Sequence, residues 1–132
     1  ACMLDPGDKI IVENPTYLVA LQSFHFFDPE VLPVTINPDG IDCDALAAAV
    51  AANPDVKFAY VIPNFQNPTG RVTSLEKRKG IYELACKYNV AILEDDPYGE
   101  LRISGESVPS LKSMDTEGRV LYAGSFSKIL AS

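Results

Sequence analysis

Five short apolar runs, at positions 9–13, 31–36, 57–62, 90–94 and 119–123, constrain this chain more than any other feature. They are rich in Val and Ile and do not alternate apolar with polar residues. A strand with one face in water alternates, whereas a strand covered on both faces does not. The runs therefore read as strands of a parallel sheet with helices on both sides. Helical segments separate them. Asp42 is placed to cap a helix running through Val50, with Ile41 and Leu46 as a hydrophobic staple. Thr73-Ser74-Leu75-Glu76 matches a capping box, and Ile81, Leu84, Ala85 and Tyr88 form one apolar stripe beyond it. A third helix is expected over 16–27, entered after Pro15. The expected fold class is α/β: three α/β/α layers around a mainly parallel sheet, joined by right-handed crossovers. The link over 98–118 carries Gly and Pro and reads as less regular.

Composition narrows the function classes. The chain has 132 residues, enough for one domain with a real core. Its net charge of −7 argues against a nucleic-acid partner, which needs a basic face. No apolar run approaches the roughly 20 residues of a membrane span. The first residues, Ala1-Cys2-Met3-Leu4-Asp5, show no signal-peptide pattern. Cys2, Cys43 and Cys86 lack metal-type or paired spacing and read as free thiols of a reducing cytoplasm. The single histidine, His25, lies in a Phe-rich stretch with no motif tying it to a thiol, so nucleophilic cysteine chemistry is not indicated. No metal site is indicated.

The polar residues of interest follow the strands. Tyr17 follows the first run, Asn67 the third, Asp95 and Tyr98 the fourth, and Ser125, Ser127 and Lys128 the fifth. In an open α/β sheet, ligands collect beyond the carboxyl ends of the strands. Four loops thus bring polar groups to one rim. Lys128 ends an apolar strand behind Ser125-Phe126-Ser127; a lysine desolvated there is a nucleophile toward a carbonyl, although a solvated lysine is the commoner case. Glu94-Asp95-Asp96 would repel one another without a positive partner. The run is either a solvated turn or a carboxylate paired with a cationic heterocycle. Tyr98, after the stiff Pro97, could donate to an oxygen of the same ring. Asn67-Pro68-Thr69-Gly70 is a turn whose amide could do likewise. Tyr17 could stack on an aromatic ligand or simply pack in the core.

Four motifs in order carry a family resemblance: Asn14-Pro15-Thr16-Tyr17, Asn67-Pro68-Thr69-Gly70, Asp95-Asp96-Pro97-Tyr98-Gly99 and Ser125-Phe126-Ser127-Lys128. Together they resemble the fold-type I pyridoxal-phosphate (PLP) enzymes, and among them the class I/II aminotransferases. The longer runs Val61-Ile62-Pro63-Asn64-Phe65-Gln66-Asn67-Pro68-Thr69-Gly70 and Leu93-Glu94-Asp95-Asp96-Pro97-Tyr98-Gly99-Glu100-Leu101 resemble the branch that holds 2-aminoadipate, kynurenine and aromatic or branched-chain aminotransferases. The resemblance implies that Lys128 is the Schiff-base lysine and the base for proton transfer. It implies that Asp95 pairs with the pyridine nitrogen, that Tyr98 and Asn67 bond the ring oxygen, and that Tyr17 stacks on the ring. Ser125 and Ser127 would contact the cofactor phosphate. Glu94 and Asp96 match no catalytic position and read as structural.

The implied reaction moves an amino group between an amino acid and a 2-oxo acid, in a cytoplasmic homodimer. Members of the family are much longer, so residues 1–132 are expected to be a central part of the large PLP-binding domain, without the N-terminal segment and the C-terminal small domain. The expected strand order is second, first, third, fourth, fifth, leaving the last strand at an edge and the isolated segment prone to self-association. Three other readings stay open: the aminotransferase-like effector domain of a winged-helix transcription regulator, a PLP-dependent lyase on the same fold, and a non-catalytic flavodoxin-like domain.

Overall fold

The computed structural model of the chain describes residues 3–101 and 105–126. Five parallel strands form the sheet: β1 (Lys9–Asn14), β2 (Glu30–Asn37), β4 (Val56–Val61), β5 (Ala91–Asp96) and β6 (Val120–Gly124). A two-residue strand, β3 (Gly40–Ile41), adds to β2 in antiparallel sense, giving the order β3-β2-β1-β4-β5-β6. The five expected strands are all present, in the expected order. β3 was not foreseen, because two residues carry no readable period.

Successive residues of a strand face opposite sides, and here both sides are covered. Ile11, Ala59, Val61 and Ile92 pack under α2 (Cys43–Ala52), α3 (Leu75–Tyr88) and α4 (Leu111–Met114). Ile10, Val12, Phe58, Tyr60 and Ile62 pack under α1 (Leu18–His25). This double burial explains why the runs do not alternate. Each fully buried Ile or Val contributes about 1.5–3 kcal/mol over its exposed state.

The helix ends follow local chemistry, with two departures from expectation. Asp42 caps α2 by accepting from the Asp44 and Ala45 amides at 3.0 Å each, and Ile41 and Leu46 share one buried cluster. Helix α3 is capped by Ser74, which accepts from the Lys77 amide at 3.2 Å, so the Thr73–Glu76 capping box is not formed. Thr73 is buried. Its N–H donates to the Pro63 carbonyl at 2.8 Å, and its side chain fills the space over Gly40, where a Cβ would lie 2.7 Å from Thr73 Cγ2. Gly40 has φ +127, which suits glycine. Helix α1 is shorter than expected, since Tyr17 is still extended and Asp28 turns left-handed. The irregular link holds a 3-10 turn (Gly99–Leu101) and the short α4.

β6 is the outer strand of the described sheet, and Leu121 and Tyr122 are each 47% exposed. Among the described residues, no helix is long and apolar enough to cross a membrane.

Candidate functional site

Parallel strands place their carboxyl ends on one rim. A cleft of about 240 Å³ opens there, lined by Tyr17, Ile62, Asn67, Asp95, Pro97, Tyr98 and Ser125. Tyr17, Asn67, Tyr98 and Ser125 follow four strands, and Asp95, expected after the fourth run, lies inside β5, whose end extends to Asp96; the five meet around one space. Lys128 and Ser127 lie outside the described residues. Tyr17 occupies the N-cap of α1 but makes no side-chain capping bond. Its ring leans on the α1-side core and reaches the cleft.

Asn67 is held by its neighbour. Gln66 is buried and uses both ends of its amide. Its Nε2 donates to the Pro15 carbonyl at 2.7 Å and to Glu13 Oε2 at 3.1 Å. Its Oε1 accepts from the Thr69 amide at 3.1 Å and the Thr69 hydroxyl at 2.7 Å. The turn after β4 is thereby tied to the corner after β1, so Asn67 and Tyr17 keep a fixed relation. Glu13, at the end of β1, is 2% exposed. Burial pushes its carboxyl up to about 7, against the lowering bonds from Gln66 and the Ile62 amide.

The three consecutive acids divide by strand alternation. Glu94 faces α3 and α4. Its oxygens accept from the Leu111 and Lys112 amides at 2.9 and 2.8 Å. Burial pushes its carboxyl up, while those amides and the Arg78 charge oppose the rise. Arg78 is wholly buried. Its guanidinium donates to the carbonyls of Thr73, Pro63, Val108 and Pro109 and, at 2.8 Å, to Asn64 Oδ1. Asn64 in turn donates to Asp96 Oδ2 at 3.0 Å, which also accepts from the Tyr122 hydroxyl at 3.2 Å.

Asp95 points to the opposite side, toward α1 and the cleft. Its one bond among the described residues comes from Tyr60, whose hydroxyl donates to Oδ2 at 2.5 Å. Burial pushes the Asp95 carboxyl up, the Tyr60 bond opposes this, and the Asp96 charge adds to it. No lysine, arginine or histidine among the described residues pairs with Asp95. A half-buried carboxylate with an unmet need for positive charge thus faces the cleft. Sequence reading missed Tyr60, Glu13, Gln66 and Arg78. Gln66 had a signal, since it adjoins the Asn67 turn; the others read as core or as surface charge.

The sequence model for aminotransferase class I and II matches residues 1–132. The chain belongs to the class I and II aminotransferases. It is 47% identical to aromatic-amino-acid aminotransferase 1 of Thermococcus litoralis, over 97% of this chain and 32% of that protein. It is 38% identical to the 2-aminoadipate transaminase of Thermus thermophilus, over 97% of this chain and 33% of that one. A crystal structure of Pyrococcus horikoshii kynurenine aminotransferase in complex with PMP superposes with a TM-score of 0.95 at 43% identity. That match covers 98% of this chain and 33% of the other. The chain thus spans about a third of the length of the curated relatives it matches.

Proposed function

We propose that this segment is the central part of the large domain of a PLP-dependent aminotransferase, which moves an amino group between an L-amino acid and a 2-oxo acid. The observation that carries the reading is Asp95: a half-buried carboxylate on the cleft, bonded by a phenol and lacking a cation among the described residues. A protonated pyridine nitrogen meets that requirement. Tyr98 and Asn67 supply a phenol and an amide for a ring oxygen, Tyr17 supplies an aromatic face, and Ser125 offers a hydroxyl for a phosphate. The donor set therefore fits PLP. When bound, that cofactor supplies an electron sink for the substrate's α-carbon.

In this reading Asp95 holds a proton on the ring nitrogen by keeping its own negative charge beside it. Asn67 and Tyr98 would hold the ring oxygen, and Tyr17 would stack on the ring face. Lys128 would hold the cofactor's aldehyde through its amine and would carry the proton at the substrate's α-carbon. Ser125 and Ser127 anchor the phosphate. The identity of 47% to an aminotransferase exceeds the 35% and 38% to two HTH-type transcriptional regulators that also match, which supports this reading over a regulator's effector domain, and the aminotransferase relatives support it over a lyase. A cytoplasmic homodimer is proposed for the whole protein on the same resemblance.

Lys128→Ala in the full-length protein is expected to abolish absorbance near the visible edge after PLP addition, together with transamination. A variant that kept its transamination rate would remove Lys128 from the role assigned to it.

A further inference from the structure

Tyr60 lies inside β4, in a run that otherwise builds the core. Its ring is 2% exposed and packs edge-on against Phe24 of α1, with centroids 5.3 Å apart at 78°. Phe24 makes a second edge contact to Phe58 at 5.6 Å. A tyrosine hydroxyl in such a place needs a partner. The partner here is the cleft carboxylate on the neighbouring strand, through Asp95 Oδ2. Asp95 Oδ1 has no donor among the described residues. One oxygen of the carboxylate is therefore committed to the core and the other is left for the cleft. The bond is charge-assisted, a class roughly twice as strong as a neutral pair. Because Phe24 packs on the phenol, and Tyr17 is the N-cap of α1, the helix that follows the expected ring-stacking residue also holds the carboxylate's support.

We propose that Tyr60 is the positioning residue for Asp95. Its hydroxyl fixes the rotation of the carboxylate and favours its ionised form, so that a protonated heterocyclic nitrogen meets one preset oxygen. This inference rests on the proposed PLP reading and deepens it. The bland alternative is a core tyrosine that finds the nearest acceptor, with no effect on what Asp95 holds. The two differ in what happens at the ring nitrogen.

The experiment uses the full-length protein loaded with PLP carrying 15N in its ring. Three forms are compared: unaltered, Tyr60→Phe and Asp95→Asn. Tyr60→Phe keeps the ring packing and deletes only the donor. The expected result is a ring-nitrogen resonance shifted from the protonated toward the unprotonated position in Tyr60→Phe, in the same direction as in Asp95→Asn but less far. The dissociation constant for PLP is expected to rise about 10-fold or more, the range for a lost bond to a charged group. A Tyr60→Phe protein with the unaltered nitrogen resonance and affinity overturns the inference and leaves the PLP reading standing. An unaltered protein that binds no PLP overturns both. Should Tyr60→Phe not fold, 13C labelling of the tyrosine ζ carbons in the unaltered protein decides: the Tyr60 signal is expected to move on PLP binding, and a signal that stays fixed refutes the role.

Discussion

Replacing Glu13 with glutamine tests how the cleft is braced from below. Glu13 is almost fully buried, and its acceptor bonds come from the Ile62 amide and Gln66 Nε2. Burial raises its carboxyl from 4.5 to about 7. Below pH 4.5 the group is protonated in both folded and unfolded chains and costs nothing. As pH rises past 4.5 the unfolded chain ionises while the folded chain holds its proton. Stability therefore falls across the window from 4.5 to about 7 and is level above it. A rise of this size corresponds to about 3 kcal/mol at pH 8. Glu13→Gln keeps an acceptor oxygen and removes the titration. Urea unfolding of the unaltered and variant proteins at several pH values isolates this term, because other titrating groups cancel in the difference. The variant is expected to gain about 3 kcal/mol relative to the unaltered protein between pH 4.5 and pH 8. A 13C titration of the Glu13 side chain should show a midpoint near 7. A difference in stability that is flat with pH, together with an ordinary midpoint, would refute the argument that burial dominates here.

Two further outcomes test the scaffold. Arg78→Met should destabilise the protein by about 3–5 kcal/mol in urea unfolding, since it strands buried acceptors and leaves Glu94 without its nearby positive charge. Amide exchange at Leu111 should quicken with it, because Arg78 holds the Val108 and Pro109 carbonyls just before α4. Ser74→Ala should cost about 1 kcal/mol while Glu76→Ala stays within about 0.5 kcal/mol, as measured by thermal or urea unfolding. A loss at Glu76→Ala with none at Ser74→Ala would restore the Thr73–Glu76 capping box.

What was legible in the sequence was local or periodic. The five strands lie within two residues of the apolar runs, since burial on both faces leaves its mark on each run separately. Tyr17, Asn67, Tyr98 and Ser125 were legible because each follows a strand, and Asp95 because it stands at the end of one; parallel strands end on one side. Arg78 was not legible. It stands between Lys77 and Lys79 on α3 and reads as part of a solvated basic face. Its burial depends on residues 108–110, about 30 positions on, returning over the helix. Tyr60 was hidden for a similar reason. Within Phe58-Ala59-Tyr60-Val61 it reads as core, and only the pairing of β4 with β5 brings its hydroxyl to Asp95. The capping of α3 was ambiguous by one register, because Thr73 and Ser74 both offer a hydroxyl. Gly40 and Pro63 decide it by taking Thr73 inward.

The triplet Glu94-Asp95-Asp96 shows how strand geometry can separate one function from two structural roles. Three adjacent carboxylates cannot share one environment without strong repulsion. Alternation turns Glu94 and Asp96 to the α3 side, where Arg78 stands near the first and steadies the second through Asn64. The same alternation sends Asp95 alone to the α1 side. There the described residues supply a phenol and no cation. A fold selected for stability alone has a cheaper solution at that position, because an apolar residue would pack beside Leu93 and Tyr60 without a desolvation cost. Keeping a half-buried acid there makes sense when a positive group arrives from outside the sheet. If so, Asp95→Leu should leave the cofactor-free protein at least as stable as the unaltered one, while abolishing PLP binding in an absorbance titration. Loss of stability in the cofactor-free form would mean that the carboxylate serves the fold, and the argument for a bound cation would lose its basis.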